Sequence, residues 1–548
     1  MSTASKKKAR TATHRPAVRR RRFRHDDLVA VDLFSGFGGL TRGIEMAGFT
    51  TIMAANHNSY KVEVHEANHP DAEHWIADLV DPEAADYHSA RDLPAADLLV
   101  AGVSCVNHSQ ANTVKAYEQG ATLFDLEDPD YEARVTKSER DRATANCVLH
   151  YAAQHRPRLI LVECTTELTS WGPAIPGRPK VGDGSTYRWW LKQFDLINYN
   201  HKVLYLNSQF FGVPQSRDRA YWAFWDRSLP APDLDHRPVS RCHRCDKDVE
   251  AVWTWKTGIP PTGSVRYGKQ YEYRCPSCRT PVVPPMTPSL AALDLTDLGT
   301  RIGDKPVKTF KDGTTGPLAA ATMARAERCR QRFADFPAVL MPAKAVHGSE
   351  RHPWQPMSTQ TSQQETSILS TGPVTQPLWT PSMALAVDNY QGVPRGADEP
   401  LPTQVGSETL AVVSSGIVPF RKNTLPTVHG EAMPTFTSDQ IPGLLTAAGT
   451  IDRSAFEAQL AAQWRAALSD LPLENCFFRM MKAPEVGRGC GFDVDFANHK
   501  GKFIVWGSAR NQVDGFGNAV SPQVGAWIGS RLRAIVHTAQ DRNLATAA

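Results

Sequence analysis

The chain has 548 residues, 41% of them apolar, and a net charge of +4. That length can bury more than one core, and two to four domains are expected. No run of about 18 uncharged apolar residues occurs and no apolar stretch opens the chain, which argues against a spanning helix or a secretory signal and for a soluble, cytoplasmic protein.

The first 26 residues form a basic arm, with Arg19, Arg20, Arg21 and Arg22 in a stretch from Lys6 to Arg24 that lacks any acidic residue. Such an arm either neutralises nucleic-acid phosphates or is a solvated tail. From residue 27 the texture changes to short apolar runs separated by helical stretches: Leu28 to Phe34, Thr51 to Asn56, Trp75 to Asp78, Asp97 to Gly102, Leu159 to Glu163, Lys202 to Asn207 and Tyr221 to Trp225. Seven strands interleaved with helices predict an open α/β sheet, with ligands at the carboxyl ends of the strands. This α/β region is expected to occupy residues 27–228. A second, mostly β or irregular region fills 229–475, rich in Pro, Thr, Ser and Gln. Within it a Pro-apolar-x-Thr phrase or close variant recurs at Pro356 to Thr359, Pro377 to Thr380, Pro400 to Thr403 and Ala432 to Thr435, read here as related strand-turn units. A helix is expected from Ser454 to Leu468. Residues 476–540 return to ordinary composition and complete the α/β region, ending in an amphipathic helix near Val524 to Val536, and 541–548 are a tail.

Four of the ten cysteines stand in two pairs, Cys242-x-x-Cys245 and Cys275-x-x-Cys278. This spacing suits a structural Zn²⁺ held by four thiolates in a ribbon over 240–281, and it argues for a reducing compartment. Lys247, Lys256, Arg266, Lys269, Arg274 and Arg279 surround the pairs, with Trp253, Trp255, Tyr267, Tyr271 and Tyr273 between them, a mixture that suits a phosphate-facing surface.

The first strand runs into Phe34-Ser35-Gly36-Phe37-Gly38-Gly39-Leu40. Glycines there let the backbone turn sharply and approach a nucleotide-like ligand, and Thr41 stands where a dinucleotide fingerprint would place its third glycine. The fourth strand leads to Cys105, a position that on its own would hold a buried small residue. Arg217 and Arg219, at spacing two, point to one side of a strand.

Taken in order, DLFSGFGGL, the loop Ala101 to Ser109, Glu163-Cys164-Thr165, Gln215-Ser216-Arg217-Asp218-Arg219, a worn Arg479 to Phe492 and Gly515-Phe516-Gly517-Asn518-Ala519-Val520 resemble the successive signatures of the cytosine-C5 DNA methyltransferases. The resemblance implies a Rossmann-like class I methyltransferase sheet with a large target recognition domain. It also implies S-adenosylmethionine held by Phe34, Gly36, Gly38, Gly39, Leu40, Asn56, Asp78, Leu79, Asn518 and Val520. Asp78 would meet the adenine amino group, while His57 stands where the family has an acid for the ribose. Carbon 5 of cytosine is too weak a nucleophile unaided, so the family adds a thiolate at carbon 6, and that thiolate would belong to Cys105. Glu163 would serve ring nitrogen N3, and Arg217 and Arg219 would hold the loop and the cytosine carbonyl.

The expected partner is double-stranded DNA, bound by a monomer in a bacterial or phage-infected cell, with the target base rotated out of the stack. Ser104 and Val106 replace the family's proline and glutamine, and Cys164 replaces an asparagine, bringing a second thiol near the site as in RNA cytosine-C5 methyltransferases. A relative acting on RNA or on modified cytosine, and a binding protein without catalysis, therefore stand beside the main reading.

Overall fold

The computed structural model describes residues 27–103, 144–176, 178–260, 262–294, 297–310, 313–332, 338–342, 350–353, 355–372, short strands within 383–444, residue 468, 471–496 and 499–547. The basic arm, three of the four Pro-apolar-x-Thr phrases and the expected helix before Leu468 lie wholly or largely outside them.

The α/β region begins with β1 (Val29–Leu33), α1 (Gly39–Met46), β2 (Thr50–Asn56), α2 (Ser59–Asn68), β3 (Glu73–Ile76) and β4 (Leu98–Gly102). Helix α3 (144–155), β5 (Leu159–Cys164), α4 (Ser185–Leu196), β6 (Tyr199–Asn207) and β7 (Asp218–Asp226) follow. Each of the seven expected strands is present. They form one sheet in the order β3, β2, β1, β4, β5, β7, β6, in which the first five are parallel and β7 is antiparallel to both neighbours.

Strand β5 explains why its sequence is continuously apolar. Ile160, Val162 and Cys164 enter one core with Trp190, Phe194, Trp222 and Phe224, while Leu159 and Leu161 enter another with Ala30, Leu40, Ile44 and Ile528. A strand covered on both faces has no solvent side on which to place polar residues.

The second region opens with a ribbon: β8 (Val239–Cys242) pairs with β9 (Lys247–Glu250), and β10 (Val252–Trp255) with β11 (Tyr271–Arg274) and β12 (Pro281–Val282). Farther on, β13 (Thr300–Arg301), α5 (Ala320–Arg332), β14 (Ala338–Pro342), β15 (Thr366–Ser370) and β16 (Phe477–Met480) build an antiparallel sheet in the order β13, β16, β15, β14 around Ile302, Val339, Leu369 and Phe478. The closing segment thus begins inside this sheet. The phrase Pro356 to Thr359 is no strand-turn unit: Met357 makes only an isolated bridge to Gln215, its amide donating to the Pro214 carbonyl at 3.0 Å.

The closing segment continues through α6 (Ala483–Gly489), α7 (Ala509–Asn518) and α8 (Pro522–Ala547), and α8 contains the expected amphipathic stretch. Helix α8 crosses α1 where both are small: a Cβ on Gly43 would lie 2.6 Å from the Pro522 carbonyl oxygen, and one on Gly529 2.9 Å from the Ala47 Cβ. At Gly39 the fit is closer, with Val520 O only 2.0 Å from the position of a Cβ. Gly39→Ala is expected to cost about 1–3 kcal/mol by overpacking against an immovable backbone, seen as a lower urea midpoint and faster proteolysis of the closing segment.

Candidate active site

Strand β1 ends in a turn with left-handed backbone at Phe34 (φ 60°), Gly36 (φ 56°) and Gly38 (φ 77°). Gly38 caps α1 and must lack a Cβ, which would fall 2.6 Å from His69 Nε2. At Gly36 a Cβ would meet nothing nearer than the Phe34 carbonyl oxygen at 3.9 Å, so this side of the turn is open. The Cβ position of Gly102, at the end of β4, is 3.7 Å from the Phe34 carbonyl oxygen and 4.0 Å from Val520 Cγ2. The structure therefore brings together Phe34, Gly36, Gly38, Gly39, Leu40 and Val520, residues drawn from both ends of the chain.

Asn56 closes β2 and Asp78 lies just past the end of β3, with the Ala77 amide donating to the Asn56 carbonyl at 3.1 Å. Both shape their own loops. Asn56 Oδ1 accepts from the Asn58 amide at 3.0 Å, and Asp78 Oδ1 accepts from the amides of Val80 and Asp81 at 2.9 and 3.1 Å. Leu79 is buried, whereas Asn518 and His57 are exposed, and Asn518 Nδ2 donates to Asp514 Oδ1 at 3.0 Å.

Behind the turn is a buried polar cluster that reading the sequence missed. Thr41 donates to Asp32 Oδ2 at 2.5 Å, and its hydroxyl lies 2.9 Å from His65 Nε2; His65 Nδ1 in turn is 2.7 Å from His74 Nε2. Thr41 in place of a third glycine, with histidines at 65, 69 and 74, was the available signal. Burial raises the Asp32 carboxyl to about 7, and burial also drives His65 well below the usual histidine range. A folded-state value raised from 3.8 to about 7 means that Asp32's contribution is present at low pH and is lost as pH climbs through that window. Asp32→Asn should therefore gain stability relative to the native chain from pH ~4 to ~7, by at most about 1.4 kcal/mol per pH unit, and level off above. Urea midpoints of both proteins across this range test it.

Glu163, one residue before the end of β5, pairs with Gly102, and its carbonyl accepts from the Val103 amide at 3.1 Å. Its carboxylate is buried, with Oε1 3.1 Å from Arg219 Nε. Arg219 Nη1 also donates to the Asp218 carbonyl at 2.8 Å. Arg217 is buried and braces the chain, its Nη1 donating to the carbonyls of Gly517 at 2.8 Å and Gln360 at 3.2 Å. Gln215 does similar work, its Oε1 accepting from the Gln360 amide at 2.5 Å.

Cys105, with Ser104 and Val106, lies outside the described residues. Cys164 does not bring a thiol to the Glu163 side. Strand alternation turns it to the opposite face of β5, fully buried in the apolar core with Trp222 and Phe194.

The sulfurs of Cys242, Cys245, Cys275 and Cys278 all lie within 4.8 Å of one another. Zn–S bonds of about 2.3 Å fit such a cluster, and these side chains leave no open coordination position for chemistry. Two of the ribbon aromatics face inward, and Trp253, Trp255 and Tyr267 are half-buried against the same core. Tyr271 and Tyr273 are fully buried, and Trp253 stacks on Tyr271 with centroids 5.0 Å apart. Of the cations, Lys256 and Arg274 both pair with Glu272.

A glycine turn after the first strand, an acid (Asp78) beyond the third and a reversed seventh strand are typical of a class I methyltransferase fold. Residues 28–126 match the family model for C-5 cytosine-specific DNA methylase. The Type II methyltransferase M.NgoBI of Neisseria gonorrhoeae is 26% identical over 226 residues, which cover 40% of this chain and 59% of that protein. The DNA-cytosine methyltransferase of Escherichia coli K12 is 32% identical over 103 residues, 16% of this chain and 22% of its own length. The solved structure of S. pombe Dnmt2 methyltransferase aligns over 92% of this chain and 99% of its own, at 12% identity and a TM-score of 0.38. The chain spans about half the length of the curated relatives it matches. Its similarity to the C-5 cytosine-specific DNA methylases is concentrated in residues 28–126. Among the described residues no helix is long and apolar enough to cross a membrane.

Proposed function

We propose that the chain transfers a methyl group to carbon 5 of a cytosine rotated out of double-stranded DNA, with Cys105 as the nucleophile. The observation that carries this reading is the Glu163–Arg219 pair at the end of β5, 3.1 Å apart and opposite Gly102, from which the chain runs directly on to Cys105. Cys105 would add to carbon 6, and Glu163 would hold or pass the proton at N3 that makes this addition favourable. Arg219 on the same side would bind the carbonyl oxygen, while Arg217 keeps the closing segment in place. After transfer the carbon 5 proton leaves and the bond to sulfur breaks, releasing 5-methylcytosine.

S-adenosylmethionine, when bound, supplies the electrophilic methyl group. The open turn fits such a group: Phe34, Gly36, Gly38, Gly39 and Leu40 would hold it from one side, Asn56, Asp78 and Leu79 from the strand ends, and Asn518 and Val520 from the closing segment. The four clustered sulfurs would hold a structural Zn²⁺, and residues 229–475 would read the major groove for a monomer. A bacterial cytoplasm suits the bacterial relatives. The burial of Cys164 against the apolar core supports DNA over RNA in this reading.

Incubation with labelled S-adenosylmethionine and duplex DNA should yield labelled 5-methylcytosine, and 5-fluorocytosine DNA should trap a denaturant-resistant adduct that Cys105→Ala abolishes. An adduct on RNA alone, or label on another base, would overturn the reading. Metal analysis should find a zinc equivalent per chain that a chelator removes; its absence from protein purified with added zinc would refute the metal site.

A further inference from the structure

The ribbon is fastened to the ends of the two strands that carry the proposed base-facing pair. Beside Arg219, Asp218 Oδ1 accepts from the Tyr271 hydroxyl at 3.2 Å and from the Tyr267 amide at 3.1 Å. Just past Glu163, Thr166 Oγ1 accepts from the Val265 amide at 3.0 Å. The ribbon loop also presses on the segment that follows, where a Cβ on Gly263 would fall 2.5 Å from both Thr169 Oγ1 and Ser170 Oγ. Trp253 Nε1 reaches across to the Tyr205 carbonyl at 3.0 Å, on the strand next to Asp218. Farther along, Tyr273 lies 2.7 Å from His236 Nδ1, and His236 stacks on Phe211 at 4.3 Å. Val265, Tyr271, Tyr273, Cys242 and Cys275 all belong to the same apolar core as Val162, Ala220 and Trp222.

These contacts run from the cysteines through β11 to both strand ends. We infer that the four-cysteine ribbon is a brace of the active site, in which Tyr271 and Val265 position Arg219 and Glu163 through Asp218 and Thr166. Tyr271 and Tyr273 are fully spent on this junction, with Trp253, Trp255 and Tyr267 half-buried against it. Tyr271 and Val265 are positioning residues, since neither is placed to touch a substrate.

The inference rests on the assignment of Glu163 and Arg219 to the base pocket, but its test does not require turnover. Hydrogen exchange on the full zinc-loaded chain should show residues 163–170 and 217–221 protected. Chelation should raise their exchange about tenfold or more, with residues 29–46 at the cofactor turn unchanged. Tyr271→Phe removes one hydrogen bond and no metal ligand. It should keep its zinc and its S-adenosylmethionine affinity, raise exchange at 217–221 about two- to tenfold, and slow adduct formation with 5-fluorocytosine DNA by a similar factor. Exchange at the two strand ends that follows neither chelation nor Tyr271→Phe overturns the brace, as does a Tyr271→Phe defect confined to DNA affinity. A chain that never methylates cytosine while its exchange responds as expected would instead remove the functional assignment and leave the brace standing.

Discussion

The return of the closing segment to the glycine turn is the constraint on which the rest of the structure depends. The Val520 carbonyl lies against Gly39 so closely that no side chain fits between them. Helix α8 then packs its small residues along α1, and the core beneath the sheet is completed by Val524, Ile528 and Leu532 from the far end of the chain. Without that return, the turn would have one wall instead of two. The long second region therefore has to leave the sheet and come back in register, which is why Arg217 and Gln215 are spent on carbonyls and amides of the returning chain. Buried backbone groups need partners, and a guanidinium can satisfy more than one at once.

Charge is concentrated at the strand ends for a related reason. Glu163 and Arg219 are both largely removed from water, where an unpaired ion would be costly, and each reduces the other's penalty. Such a pair adds little net stability to a fold, but it holds a carboxylate and a guanidinium in a fixed relation before any ligand arrives. Preorganisation of that kind matters for chemistry, since polar groups already aimed need no rearrangement during the reaction. The Asp32, Thr41 and His65 chain beneath the glycine turn is a second buried polar arrangement.

The ribbon shows how a surface motif becomes part of a core. Its strands are too short to be stable alone, and two of its four cysteines are fully buried. Tyr271 and Tyr273 fill space against the seven-stranded sheet, and their hydroxyls find Asp218 and His236, as buried phenols require partners. Lys256 and Arg274 are occupied by Glu272, so the basic character seen in composition is partly neutralised within the ribbon.

The sequence by itself determined the seven strands, the glycine turn and the paired cysteines, because each is written in local patterns: apolar runs, left-handed turn residues and short fixed spacings. Asp78, Glu163 and the two arginines could be picked out because they sit at strand ends, where ligands gather in such sheets. Only the tertiary structure decided what faces what. It turned Cys164 into the apolar core rather than toward Glu163, since adjacent residues on a strand point to opposite faces of the sheet. It placed Tyr271 and Tyr273 of the ribbon inside rather than on a surface, gave Arg217 to backbone carbonyls from two distant segments, and joined Thr41 to Asp32 and His65. Those outcomes depend on contacts between residues far apart in the chain, and no local pattern of residue types records them.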